Sequence, residues 1–196
     1  QLDAGPLSQQ LRDGLAQLDR NTRELQESVM SIRMLPIRFA FSRFPRLVRD
    51  LGQQLGNSVR LEIHGEQTEL DKTVLEGISD PLTHLVRNAL DHGLETAGTR
   101  RAAGKDETGR IRLAARHEGG HVVIEVADDG AGIDRDRVLA RAVDRGLVPA
   151  GAALTDEQIH ELLFAPGFST AEAVTDVSGR GVGMDVVRGN IKALGG

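Results

Sequence analysis

The chain has no cysteine, no tryptophan and no tyrosine, and only five phenylalanines in 196 residues. Without cysteine there is neither a disulfide framework nor a thiolate metal site, and the composition suits a reducing cytoplasm, the compartment expected. Aromatic residues at 3% and a formal charge of −5 argue against a nucleic-acid partner, which needs a basic footprint and often stacking rings. Also missing are a long apolar run and a charged-then-apolar leader, so no membrane span, direct membrane insertion or signal peptide is expected in the residues shown. Any phosphate must then be held by local groups and backbone N–H. The length suits one well-packed domain plus an appendage. Because the chain begins at Gln1, it reads as a piece of something larger.

What is present is periodic. Leu11, Leu15, Leu18, Thr22, Leu25, Val29 and Ile32 alternate at spacings of four and three, the seam of a coiled coil or helical bundle on a helix expected over residues 1–35. A stripe that narrow cannot be buried alone and calls for a partner helix. "PIRFAFSRFPRLVRDLGQQLG" (36–56) reads as a second helical stretch closed by Gly56, with Phe39, Phe41 and Phe44 opening a globular domain over 36–196. A strand is expected at 58–65, a helix from about Asp71 to His92, and a hairpin of "GRIRLAARHE" and "HVVIEVADD" joined through Gly119-Gly120. Helices follow at 134–146, 156–163 and 183–194, with a lid expected between Phe164 and Gly183.

Several tempting patterns fail on their context. "HEGGH" (117–121) has zinc-site letters, but that chemistry needs both imidazoles one turn apart on a helix, and these flank a glycine turn between strands. "GTRRAAGKDE" (98–107) has the wrong glycine spacing for a P-loop and Asp106 where a magnesium-binding hydroxyl belongs. "GAGIDR" and "GVGMDV" lack the third glycine of a dinucleotide fingerprint.

Three other segments hold together. In "HLVRNALDHG" (84–93) the polar residues His84, Arg87, Asn88, Asp91 and His92 share one helical arc, opposite Leu85, Val86, Ala89 and Leu90. Two imidazoles, an amide, a carboxylate and a guanidinium are not the Lys, Glu and Gln of an ordinary solvated face. "DDGAGID" (128–134) leaves a strand end, where Gly130 and Gly132 would let backbone approach something bulky. "SGRGVGMDVV" (178–187) alternates three glycines up to a helix start at about Met184, an arrangement of amides suited to phosphate. Alone, each has an ordinary reading as a polar face, a turn or a hinge.

Together, in this order and spacing, the three segments resemble the asparagine box and the two glycine boxes of the Bergerat-fold ATPases, which include histidine kinases, type II topoisomerases, mismatch-repair ATPases and heat-shock chaperones. "FAPGFST" (164–170) is similar to the phenylalanine box of the kinases. Across about residues 19–196, "ELQESVMSIRMLPI", "DPLTHLVRNALDHGLE" and "FAPGFSTAEAVTDVSGRGVGMDVV" narrow the resemblance to the CheA-type chemotaxis histidine kinases.

That resemblance implies an α+β Bergerat-type sandwich, a mixed sheet covered by helices on one face and preceded by a long coiled-coil or bundle helix. Residues 1–35 would be the C-terminal helix of a dimerisation hairpin, and 36–196 the ATP-binding catalytic domain without its final strands. It implies ATP and Mg²⁺ as ligands, with Asn88 coordinating Mg²⁺ and Asp128 accepting a hydrogen bond from the adenine 6-amino group. Gly130, Gly132 and Ile133 would admit the base. Ser169, Gly179, Arg180, Gly181, Val182, Gly183 and Met184 would surround the phosphates, with Arg101 and Lys105 as further candidate cations. His84, Arg87, Asp91 and His92 would complete the catalytic arc. In hydrolysing members a glutamate one turn before the asparagine activates water; here that position holds His84, which favours a kinase over an ATPase. The implied partners are a separate histidine phosphoacceptor domain, a second copy through the N-terminal helix, and a coupling protein and chemoreceptor through a regulatory domain. An ATP hydrolase and a catalytically silent nucleotide-binding scaffold are the alternatives.

Overall fold

Two strands too short to announce themselves tie the first helix to the rest of the chain. The computed structural model describes residues 6–168 and 183–196, the side chains of 6–10 and 26–32 excepted. Helix α1 spans Pro6–Ile32. Leu11, Leu15, Leu18 and Leu25 stand between 63% and 66% exposed along it, so nothing among the described residues covers this part of the heptad seam. The helix was expected to run to residue 35. Instead Met34–Pro36 forms strand β1, antiparallel to β3 (Glu69–Asp71). The Lys72 N–H donates to the Arg33 carbonyl at 2.9 Å, and the Arg33 guanidinium pairs with Asp71 at 3.5 Å. These pairings bridge residues far apart along the chain, and no local period encodes them.

The single helix expected over 36–56 is in fact two, α2 (Arg38–Phe41) and α3 (Phe44–Leu55). Pro45 in the first turn of α3 is the cause, since proline fits a helix start but not a helix interior. Gly56 ends α3 with φ of 70°, a left-handed position favouring glycine. Phe41 and Phe44 are fully buried and meet edge to face at 6.4 Å. Phe39, grouped with them above, is 56% exposed, with Arg38 over its ring instead.

The main sheet has the order β2-β4-β5. Strand β2 (Val59–His64) lies parallel to β4 (Gly109–Glu118), and β4 runs antiparallel to β5 (His121–Asp128) through a turn in which Gly119 and Gly120 both have positive φ. Along β4, Ile111, Leu113 and Ala115 are buried while Arg110, Arg112 and Arg116 are exposed, so one face of this mixed sheet is covered. The cover comes from α3 on β2 and from α4 (Lys72–Asn88), whose Leu75, Ile78, Leu82 and Val86 form a buried stripe at helical spacing. Asp71 caps its start, accepting from the Thr73 N–H at 2.7 Å. Helix α5 (Ala97–Ala102) follows. Beyond β5, α6 (Arg135–Asp144), α7 (Asp156–Leu162) and α8 (Met184–Ala193) complete an α+β arrangement, with Val138, Ala142, Ile159 and Phe168 forming a second, smaller core.

Phe44→Ala should lower the unfolding free energy by about 3–5 kcal/mol through the cavity it leaves, while Phe39→Ala should change it by less than about 0.5 kcal/mol. Denaturant titration of both variants checks this, and equal losses would contradict the assignment of the core.

Candidate functional site

The rotation of α4 is set by its apolar stripe, which leaves His84, Arg87 and Asn88 half-buried on its flank. Burial, with the Arg87 charge and His92 adding to it, pushes the His84 imidazole below the ordinary 6.5 and keeps it neutral. The expected helix to His92 ends at Asn88, because Ala89–Gly93 forms a π-helical turn. Its hydrogen bond runs from the Leu94 N–H to the Ala89 carbonyl at 2.9 Å, one residue longer than an α-helical bond. Ala89 and Leu90 remain in the core, Asp91 and His92 are exposed, and Gly93 is carried against the end of β5.

There the helix corner meets the second segment. The Ala131 N–H donates to the Gly93 carbonyl at 2.9 Å. A Cβ on Gly130 would collide with that same carbonyl, and one on Gly93 would stand 2.9 Å from the Asp128 carboxylate. Close approach of the two backbones therefore requires glycine at 130, while a side chain at 93 would push the Asp128 carboxylate out of its place. The Gly130 N–H donates to Asp128 Oδ1 at 3.0 Å, which orients the carboxylate at the strand end. Gly132 has φ of 76°, and Asp134 then caps α6 by accepting from the Arg137 N–H at 3.0 Å.

Asp128, Gly130, Gly132 and Ile133 line a cleft of about 650 Å³ together with Arg135, Asp156, Ile159 and His160. The last four escaped the sequence reading. The Thr155–Gln158 capping box locates the start of α7, but no local signal shows that α7 faces Asp128. An exposed ion pair between Arg135 and Asp156, both of which line the cleft, links α6 to α7.

Asn88 joins the third segment, its side-chain amide donating to the Met184 thioether at 3.4 Å. Gly183 is the residue before α8. Ser169, Gly179, Arg180, Gly181 and Val182 lie outside the described residues. From the phenylalanine box, Phe164 carries the Arg188 guanidinium over its ring and Phe168 is buried in the second core. Lys105 is engaged within the protein, 2.7 Å from Glu95 and 2.7 Å from the Gly130 carbonyl, and Arg101 pairs with Glu107 at 2.7 Å. Arg100, which no motif singled out, is 1% exposed between Glu95 and Asp129. Among the described residues no group of three His, Asp or Glu side chains is placed to hold a metal ion, and "HEGGH" forms the β4–β5 turn. The Asn88 side-chain oxygen is a hard donor, fitting only a cation that brings phosphate oxygens and water with it.

The family described as histidine kinase-, DNA gyrase B-, and HSP90-like ATPase matches residues 77–196. "Chemotaxis protein CheA" of Klebsiella aerogenes is 59% identical over 186 residues, covering 95% of this chain and 28% of that protein. "Chemotaxis protein CheA" of Bacillus subtilis is 47% identical over 189 residues, covering 95% of this chain and 28% of its own length. "Sensor histidine kinase CheAY" of Helicobacter pylori is 45% identical over 196 residues, covering 99% of this chain and 24% of its own length. The chain thus spans less than a third of the length of these curated relatives.

Gly130→Ala should reduce the unfolding free energy by about 1–3 kcal/mol, the usual cost of forcing extra volume into a closed contact; unchanged stability would contradict the close approach to Gly93. His84 should titrate by NMR with a midpoint below 6.5. Because the folded form then holds fewer protons, its contribution to stability is complete above the unfolded value near 6.5 and declines as pH falls toward the folded midpoint. A midpoint at or above 6.5 would contradict its burial.

Proposed function

The chain belongs to the histidine kinase-, DNA gyrase B-, and HSP90-like ATPase family, and from that premise we propose that it is the ATP-binding catalytic core of a chemotaxis-type sensor histidine kinase. On this reading, it transfers the γ-phosphoryl group of Mg-ATP to a histidine on a separate phosphoacceptor domain. The observation that carries the reading is the meeting of three distant segments, through Gly93 with Ala131 at 2.9 Å and Asn88 with Met184 at 3.4 Å.

Asp128 supplies base selectivity. One carboxylate oxygen is held by the Gly130 N–H, which leaves the other to accept from the adenine 6-amino group, whereas the 6-oxo group of guanine is itself an acceptor and has no hydrogen to offer it. Gly130 and Gly132 keep the entry free of side chains, and Ile133, 49% exposed at the cleft, offers an apolar surface to the purine. The Asn88 side-chain oxygen would hold Mg²⁺, which supplies charge neutralisation at the phosphates when bound.

His84 supports a kinase rather than a hydrolase. The position that carries the water-activating glutamate in the hydrolysing relatives holds a half-buried imidazole here, whose basicity burial lowers, and this supports keeping the γ-phosphoryl group for a protein acceptor. The acceptor's neutral ring nitrogen attacks the γ-phosphorus in line. A phosphorus–nitrogen bond forms, the bond to the β,γ-bridging oxygen breaks, and ADP leaves. His92 and Asp91, exposed beside the π-helical turn, and Arg87 on the flank of α4 are assigned to the surroundings of the phosphates, as are Ser169 and the segment from Gly179 to Met184.

The wider organisation belongs to the same proposal. The fold is read as a Bergerat-type sandwich over residues 36–196, with residues 1–35 as one helix of a dimerisation hairpin. The exposed seam of Leu11, Leu15, Leu18 and Leu25 is what such a helix presents to a second copy. Coupling protein and chemoreceptor would be reached through a regulatory domain, in the cytoplasm.

The test is label transfer from γ-labelled ATP to the acceptor domain. Asp128→Asn should weaken ATP binding at least about tenfold, since a charge-assisted hydrogen bond is worth about 1.5–3 kcal/mol. Asn88→Ala should abolish transfer and the magnesium-dependent part of binding. Wild-type ATP affinity in Asp128→Asn, wild-type transfer by Asn88→Ala, or steady release of inorganic phosphate in place of transfer would contradict the proposal.

A further inference from the structure

The turn that carries Asp128 is gripped from behind by a buried guanidinium. Arg100 is 1% exposed. Its Nε donates to the Asp106 carbonyl at 2.6 Å; Nη1 donates to Glu95 at 3.2 Å and to the Asp129 carbonyl at 3.2 Å; Nη2 donates to the Asp129 carboxylate at 2.9 Å. Lys105 Nζ adds bonds to the Asp129 and Gly130 carbonyls at 3.1 Å and 2.7 Å and shares Glu95. On the other side, Asp129 Oδ1 accepts from the Arg110 N–H of β4 at 2.8 Å. Asp129 is thus fixed at its side chain and its carbonyl, one residue from the carboxylate that faces the cleft.

Burying an arginine among carboxylates contributes little to stability by itself, because the desolvation cost offsets the Coulomb gain. What the arrangement supplies is geometry. A planar fork with donors in fixed directions can hold a carbonyl and a carboxylate of one residue together, which a lysine ammonium cannot reproduce. The cleft face of the turn shows why such a grip is needed. Gly130 and Gly132 have no side chain to anchor them, and the backbone of the turn is held by the Asp129 N–H on the Arg110 carbonyl at 3.1 Å and the Ala131 N–H on the Gly93 carbonyl at 2.9 Å, neither of which fixes the Asp129 carbonyl.

We infer that Arg100 is a positioning residue for base recognition, holding Asp129 so that the neighbouring Asp128 carboxylate stands at the depth where it meets a purine 6-amino group. The inference rests on the reading of Asp128 as the adenine contact. Arg100 touches no substrate in this account and acts through Asp129 alone.

Calorimetry on the full-length protein compares ADP with purine riboside 5′-diphosphate, which lacks the 6-amino group, for wild type, Arg100→Lys, Asp129→Asn, Asp128→Asn and Arg100→Lys/Asp128→Asn. Arg100→Lys and Asp129→Asn should each weaken ADP about tenfold, the equivalent of ~1.4 kcal/mol, and leave the purine riboside nucleotide unchanged. In the Asp128→Asn background, Arg100→Lys should cause no further loss. Should Arg100→Lys fail to fold, Asp129→Asn decides, since that side chain is 41% exposed and the substitution conserves its volume. Retention of the wild-type preference for ADP, or equal weakening of both nucleotides, overturns the positioning role while leaving the Asp128 assignment intact. Unchanged ADP affinity in Asp128→Asn itself overturns the adenine reading and this inference with it.

Discussion

One backbone hydrogen bond, from Ala131 to Gly93, decides where everything else in the candidate site stands. It joins the turn that ends a core helix to the end of a core strand, and it needs glycine at 130, where a Cβ would collide with the Gly93 carbonyl. With it in place, the flank of α4 and the turn after β5 share one corner of the molecule. Without it, the polar helix face and the Asp-x-Gly-x-Gly turn would be separate surface features with no chemistry in common. The π-helical turn is what makes the reach possible, because its longer hydrogen-bonded loop redirects Gly93 after Ala89 and Leu90 have been committed to the core.

The elements around this corner are arranged so that mobility is removed from the turn. Packing of Ile111, Leu113 and Val86 fixes strand and helix, and the carbonyl-rich back of the turn is tied down by Arg100 and Lys105. The carboxylates in this grip remain charged: Glu95 is held below the usual range chiefly by the Lys105 hydrogen bond, and in Asp129 burial is outweighed by bonds from the Arg110 N–H and Arg100. Their stabilising contribution is therefore present above their ordinary values of 4.5 and 3.8 and is lost as pH falls through the lowered ones. The grip stays intact across the neutral range.

Much of this was legible in the sequence where the signal is local. The strands at Val59–His64, Gly109–Glu118 and His121–Asp128 follow from alternation, the hairpin from Gly119-Gly120, and the buried stripe of α4 from its helical spacing. Local pattern also explains the errors. Helical spacing over 36–56 hides the break that Pro45 makes at the start of α3, and proximity in the chain groups Phe39 with Phe41 and Phe44 although it is exposed. Non-local facts had no signature at all. The β1–β3 pairing, the placement of Ile159 and His160 opposite Asp128, and the burial of Arg100 against Asp129 all depend on contacts between distant residues. Lys105 illustrates the same limit, for a loop lysine near glycines suggests phosphate, yet its amine is surrounded by protein carbonyls and a carboxylate.

The central claim is that the Gly93–Ala131 corner presents Asp128 and Asn88 to the two ends of one nucleotide. A crystal structure of the protein with a non-hydrolysable ATP analogue and Mg²⁺ tests it most directly. The adenine 6-amino group should lie within hydrogen-bonding distance of Asp128, with Mg²⁺ on the Asn88 oxygen at the phosphate end. A purine bound elsewhere, or a metal on other residues, would contradict it.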